Sequence, residues 1–284
     1  MFSNKNISRL NKISSHPGSG TSRARLEDRI RGSLLGLAAG DRIGGPTKMA
    51  LLLGESLTEN RGYVGNDVEQ RYVNWWSREG FDTGAVSDRV FRLISKGMPG
   101  HRAVNKVDQE LRGMTAGCNP VHRSIAIALS ANIEDSDIAA IAQQESRLTH
   151  ANHLAGLISA SSVDLIRMLI KGAGWPRALM KLENTSAPVI HDELVAARNG
   201  RIHPDGYSPH VLGAAIHFVD TSNSFDEMLE RAIDFAGDEN YCPVLAGVLG
   251  GARWGVSAIS DLWLVGIKDL ERIKNVGRNL MSQW

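Results

Sequence analysis

Three short stretches place oxygen-bearing side chains directly ahead of apolar, helix-like runs. They are Gly40-Asp41-Arg42-Ile43-Gly44-Gly45-Pro46-Thr47-Lys48, Gly80-Phe81-Asp82-Thr83-Gly84 and Gly237-Asp238-Glu239-Asn240-Tyr241. Carboxylate, hydroxyl and amide oxygens are the ligands that Mg2+ and Ca2+ prefer. Short polar residues at the same positions also serve as N-caps, accepting hydrogen bonds from the orphan amides of a first helical turn. Spacing leaves both uses open for Asp82, Thr83, Asp238 and Asn240. A metal or substrate role requires loops far apart in sequence to converge.

The elements that would bring them together read as helices. From Leu26 to Gly40, apolar Ile30, Leu34, Leu37 and Ala38 share one face at helical spacing. Gly32, Gly36 and Gly40 recur every fourth residue, and Gly247, Gly251 and Gly255 repeat the device within Pro243 to Gly255. Each helical glycine costs about 1 kcal/mol relative to alanine, so close packing of these stripes must offset the loss. The two helices are expected to pack on each other or on a common neighbour. Further helical runs span Ala85 to Ser95, Ser124 to Ala131, Asp135 to Leu148, Ala151 to Lys171, Pro209 to Val219 and Ser224 to Ala236. The last opens with a sequence resembling a capping box. Alternating strand patterns are nearly absent, so the fold class is all-α, and no low-complexity linker divides the chain, so one domain is expected over 25–284. Residues 1–24 read as a flexible basic tail around His16-Pro17-Gly18-Ser19-Gly20.

Composition narrows the function classes. The 284 residues carry a net charge of +1, without the clustered basic excess that nucleic-acid binding requires. No apolar run reaches membrane-spanning length, so neither nucleic acid nor membrane is an expected partner. The start of the chain lacks the apolar core of a secretory signal. Cys118 and Cys242 are the only cysteines, which fits a reducing, cytoplasmic setting.

Taken in order, several segments resemble the ADP-ribosylglycohydrolase family, over about Arg29 to Trp263. Ile30 to Asp41 resembles the family's opening helix and its Gly-Asp end. Gly117-Cys118-Asn119-Pro120-Val121-His122-Arg123 resembles its Gly-Asn-Gly-rich substrate loop, which ends in a similarly placed Arg. Thr149-His150 matches a Thr-His pair, and Gly206-Tyr207 precedes a buried helix as in the family. Ala236-Gly237-Asp238 with Leu245 to Ala252 matches the C-terminal signature.

The resemblance implies a compact, single-domain, all-α orthogonal helical bundle of that type with divalent metals at its centre, bound through a Thr-Asp-Asp-Thr motif and a Gly-Asp-x-Asp-Thr motif. Here Phe81 replaces the first Asp of the former. Asn240 and Tyr241 replace the Asp and Thr of the latter, and Lys48 stands about where an acidic residue often follows the first helix. On this reading Asp82, Thr83, Asp238 and Asn240 are the metal-ligand set, for one Mg2+ or other divalent cation or for none. Asp82 and Asp238 are the expected catalytic pair. Asp41, Lys48, Gly117, Cys118, Asn119, His122, Arg123, His150 and Tyr207 are the expected substrate-binding residues. Lys48 or Arg42 could instead supply positive charge where metal stood, or form a solvated surface pair.

The implied ligand is an ADP-ribosyl or nucleotide-like small molecule, or an ADP-ribosylated protein. The implied activity is hydrolysis of a glycosidic bond at the ribose C1. The alternatives are an inactive member that binds such a ligand, and a metal-independent enzyme for another nucleotide-derived substrate. Other residues carry weaker signals. His150 and His153 are three apart, but no Cys or acidic cluster accompanies them, so zinc is not expected. His122 beside Arg123 reads as a phosphate contact or a surface helix start. Trp75-Trp76 reads as a stacking platform or as packing. Cys118 has no adjacent base legible in the sequence and is read as polar filling of its loop.

Overall fold

The computed structural model describes residues 19–282 and 284, with side-chain burial described from residue 22. Helices account for its regular structure: α1 Ser19–Gly40, α2 Gly45–Glu59, α3 Gly65–Arg78, α4 Ala85–Ser95, α5 Gly100–Glu110, α6 Asn119–Arg123, α7 Ile125–Leu129 and α8 Ile138–Ser146. They continue as α9 His153–Ile170, α10 Trp175–Thr185, α11 Pro188–Arg198, α12 Ser208–Asp220, α13 Phe225–Ala236, α14 Cys242–Trp254, α15 Asp261–Leu264 and α16 Leu270–Ser282. Among the described residues there is no strand, only an isolated bridge between Gly117 and Tyr207. The first helix starts at Ser19, inside the stretch expected to be a tail. The remainder of that expectation, residues 1–18, lies outside the described residues.

The fold is built on the two glycine-striped helices, which pack directly on each other. A Cβ placed on Gly36 would overlap the Gly247 carbonyl, and one on Gly247 would overlap the Gly36 carbonyl. Gly32 and Gly251 repeat this reciprocal relation one turn away, and Gly40 meets the Pro243 carbonyl. Backbone therefore lies on backbone along the contact, bringing the C-terminal end of α1 beside the N-terminal end of α14. That registry sets Asp41 next to the loop that carries Asn240.

Around this pair the apolar faces close one large core, from Ile30, Leu34 and Leu37 to Val244, Leu245 and Val248, all buried. Helix α9 runs through it. By length and composition alone α9 could cross a membrane, which corrects the expectation that no segment reaches that length, but 67 % of it is buried inside the protein. It is a core helix. A smaller apolar cluster of Val90, Ala103, Val104 and Val107 joins α4 to α5. Ser224 caps α13 by accepting from the Glu227 amide at 3.2 Å, while Glu227 Oε2 accepts from the Asn223 amide at 2.9 Å. The capping sequence acts as its residues suggest.

Candidate active site

Asp41 leaves the end of α1 buried and points at the start of α2. Its Oδ1 accepts from the Gly44 amide at 2.7 Å, and its Oδ2 accepts from the Thr47 amide at 2.6 Å. The carboxylate thus meets orphan donors of that helix and its positive dipole end. Gly45 lets the 81–82 loop come close, since a Cβ there would overlap the Asp82 carbonyl. Asp82 itself has φ +50, the left-handed region that non-glycine residues seldom adopt.

The third participant is Asn240, buried at 6 % exposure. Its side-chain nitrogen donates to Asp41 Oδ1, and to Asp82 Oδ2 at 3.0 Å. Three loops therefore converge on two carboxylates bridged by one amide. Burial pushes the Asp82 carboxyl up to about 6, and the neighbouring Asp41 adds to this. The Asn240 amide and a Gly45 backbone hydrogen bond oppose the rise. Two buried oxygens in this group have no protein partner, Asn240 Oδ1 and Thr47 Oγ1.

A cleft of about 490 Å3 opens beside the centre, walled by Asp41, Arg42, Thr47, Lys48, Phe81 and Trp263, with Asp269 at its edge. Asp82 and Asn240 are not on its wall and connect to it through Asp41. Chemistry is accordingly assigned to the carboxylate–amide group and not to the cleft as a whole. Phe81 turns its ring edge-on to Trp75, with centroids 5.6 Å apart, filling apolar space at the position where the resemblance places a carboxylate.

The two cations behave differently from a metal substitute. Lys48 reaches the cleft but pairs with Asp269 Oδ2 at 2.5 Å and lies 4.0 Å from Glu79. Arg42 donates to the Gly237 carbonyl at 2.5 Å and the Glu239 carbonyl at 2.9 Å. It holds the loop that carries Asn240.

Asp238 is a correction. It was expected to converge with Asp82, but it is exposed, with no hydrogen bond or ion pair among the described residues. Gly237 closes α13 at φ +64, and the chain turns so that Asn240, not Asp238, projects inward. Thr83 is buried directly after Asp82.

The Gly117–Arg123 loop also departs from expectation. Arg123 is fully buried, so it cannot meet a nucleotide phosphate. Its guanidinium donates to Glu145 Oε1 at 2.6 Å, Asn119 Oδ1 at 2.7 Å and Thr149 Oγ1 at 2.9 Å. Tyr72 donates to the same Glu145 oxygen at 2.9 Å. Asn119 additionally accepts from Ser87 Oγ at 3.2 Å. His150 sits in this network, 2.7 Å from Thr149 Oγ1, and burial holds its pKa well below the usual range.

His122 is buried too. Burial pushes its pKa down to about 3, against a backbone hydrogen bond with Tyr241, so it is a neutral core histidine and not a phosphate contact. Cys118 is buried, and burial pushes its thiol up to about 12, which removes thiolate character. His153 is exposed while His150 is buried, so the pair does not share a metal. Trp75 and Trp76 pack against Phe81 and Phe91 instead of presenting a platform.

Gly117 and Tyr207 belong to a second depression, of about 410 Å3, with Met114, Asn152 and Gly206. The Cys118 amide donates to the Gly206 carbonyl at 3.0 Å, and the Ser208 amide to the Ala116 carbonyl at 2.9 Å. The Tyr241 ring packs on Gly206, leaving no room there for a Cβ. Residues 240 and 241 therefore join the carboxylate pair to this depression. Sequence reasoning missed that junction, the open hydroxyl of Thr47 and the clamp by Arg42. The one available signal was Gly44-Gly45 before Pro46, which marks a close backbone approach.

No group of three or more His, Cys, Asp or Glu among the described residues is placed to hold a metal. Asp41 already accepts three hydrogen bonds, and Asn240 turns a donor, not an oxygen, toward the carboxylates. The residues do not fit a dinuclear centre.

Comparison with known proteins agrees with the fold. The family model described as ADP-ribosylglycohydrolase matches residues 22–284. Among curated proteins, the ADP-ribosyl-[dinitrogen reductase] glycohydrolase of Rhodospirillum rubrum is 22% identical over 274 residues, covering 84% of this chain and 90% of that protein. A solved structure described as an ADP-ribosylglycohydrolase-related protein complex matches with a TM-score of 0.75 at 24% identity, covering 92% of this chain and 99% of its own. Likeness at that identity concerns the fold.

Proposed function

The chain belongs to the ADP-ribosylglycohydrolase family, and on that premise we propose that it hydrolyses the glycosidic bond at the ribose C1 of an ADP-ribosyl compound, with Asp82 as the reacting carboxylate. The observation that carries this is the convergence of Asp41, Asp82 and Asn240 from three distant loops. Asp82 is the member of the group that keeps solvent access. A carboxyl with its pKa at about 6 changes protonation near neutrality, which suits a group that takes a proton from water.

In the step proposed, a water oxygen bonds to C1 as the C1–N or C1–O bond breaks. The bonding pair leaves on the departing atom. Asp82 accepts the water proton, and the departing atom takes up that proton, returned by Asp82 or exchanged through solvent, so that one water is divided between the two products. The transition state is oxocarbenium-like, so the nearby carboxylate charge stabilises it. Asn240 orients Asp82 from one side. Thr47 stands in the wall of the adjoining cleft, and its hydroxyl has no protein partner.

On this reading the base of the ligand lies in the second depression, where Tyr207 is 38 % exposed and supplies an aromatic ring for stacking. Arg123 has no part in this, being committed to Glu145. A second reading, binding without turnover, is favoured by Phe81 and Asn240 standing where carboxylates are expected and by Asp238 lying outside the group. Mass spectrometry of small N- and O-linked ADP-ribosyl compounds incubated with the protein separates the two. Release of free ADP-ribose supports hydrolysis. Saturable calorimetric binding of ADP-ribose without any release supports the second reading.

A further inference from the structure

We propose that the side-chain amide of Asn240 takes the place of a bound cation between Asp41 and Asp82, so that this centre holds its two carboxylates together without a divalent metal. The inference concerns how the site is neutralised and stands whichever glycosidic bond is cleaved.

Two carboxylates brought together at partly buried positions repel and lose solvation, and something must offset both. The candidates are a cation, a proton or hydrogen-bond donors. The donors are present: Gly44 and Thr47 amides on Asp41, and the Asn240 nitrogen on both acids. An NH2 group has two hydrogens, which match two facing acceptors. The charged alternatives lie elsewhere, since Lys48 pairs with Asp269 and Arg42 with two loop carbonyls.

The orientation of Asn240 distinguishes the two kinds of site. A metal ligand at this position would turn its oxygen toward the carboxylates, which is repulsive unless a cation lies between them. Here the oxygen is turned away, buried and without a protein partner. Aspartate differs from asparagine by one atom group but reverses this logic. A third carboxylate at 240 would repel Asp41 and Asp82, and a hard divalent cation would relieve that repulsion.

The test is calorimetric titration of metal-stripped protein with Mn2+, together with thermal melts in EDTA and in Mn2+. The wild-type protein is expected to show no saturable site that depends on Asp82 and no Mn2+-dependent rise in Tm. Asn240→Asp is expected to melt lower in EDTA, to recover with Mn2+, and to bind the ion at least about tenfold more tightly than wild type. Saturable Mn2+ binding to the wild type that disappears in Asp82→Asn overturns the proposal. So does a folded Asn240→Asp that binds no more tightly than wild type. If Asn240→Asp does not fold even with Mn2+, the comparison of wild type with Asp82→Asn decides alone. Neither readout involves turnover, so failure here is distinct from failure of the hydrolase reading.

Discussion

The Asn240 side-chain nitrogen lies 3.0 Å from Asp82 Oδ2 although 158 positions separate the two residues. The same nitrogen reaches Asp41, so one neutral side chain ties three loops together. Removing it in Asn240→Ala strips a donor from each carboxylate at once. Charge-assisted hydrogen bonds contribute roughly 1.5–3 kcal/mol each, and part of that is recovered by water. Urea unfolding is expected to show a loss of about 2 kcal/mol, whereas a loss within error would mean that the bridge carries no stability.

The α1–α14 contact gives a sharper mutational prediction. Gly36→Ala and Gly247→Ala each drive a methyl into the facing carbonyl. Overpacking of side chains costs roughly 1–3 kcal/mol, and backbone can yield less than side chains, so these variants are expected at or beyond the upper end. Gly174, with open space and an ordinary φ of −68, is the control. Gly174→Ala is expected to cost about 1 kcal/mol or less, the ordinary effect at an N-cap. Thermal melts of the three variants check the ordering.

Arg123 is expected to matter for stability before it matters for ligand. Arg123→Ala leaves Glu145 buried and unpaired, a change that costs about 3–5 kcal/mol in comparable buried pairs. Arg123→Lys is expected to rescue little, because an ammonium cannot reproduce the fork to Glu145, Asn119 and Thr149. Unchanged melting of Arg123→Ala, with weakened ADP-ribose binding, would return this residue to a phosphate-binding role.

Acid sensitivity has a defined sign. His122 has its pKa lowered from 6.5 to about 3. Its contribution is therefore full above pH 6.5 and is lost as pH falls from there toward 3, at roughly 1.4 kcal/mol per pH unit. His150 acts in the same direction. Asp82, raised from 3.8 to about 6, acts oppositely: its contribution is full below 3.8 and is lost as pH rises through about 6. Unfolding free energies measured from pH 7 downward should fall on balance, and His122→Gln should flatten that fall. An identical slope in the variant would contradict the assignment.

Much of this architecture is legible in the residues. Glycine every fourth position in two helices announces a backbone contact, and α4 occupies the span its periodicity indicates, Ala85–Ser95. Ser224 with Glu227 marks a helix start correctly. The site was legible in its loops and only partly in its residues. Motif order identifies the stretches around Asp41, Asp82 and Asn240, but a left-handed turn at Gly237 decides which residue of 238–240 points inward, and no spacing rule reports that. Arg123 misled for a related reason. A basic residue beside a glycine loop looks like a phosphate ligand, and only the fold reveals Glu145 across from it, 22 positions on. The start of α1 at Ser19 was hidden because Ser, Gly and Arg in that stretch resemble a tail by composition.

The role of Asp82 as the reacting carboxylate is tested most directly by the rate of ADP-ribose release in wild type and Asp82→Asn, with Tm measured in parallel. Asn keeps the shape of the side chain and removes both its charge and its basicity. Release by the wild type, falling at least about a hundredfold in a variant that still melts cooperatively, is the expected result. Equal release by the two proteins, or no release from any N- or O-linked ADP-ribosyl compound, would contradict it.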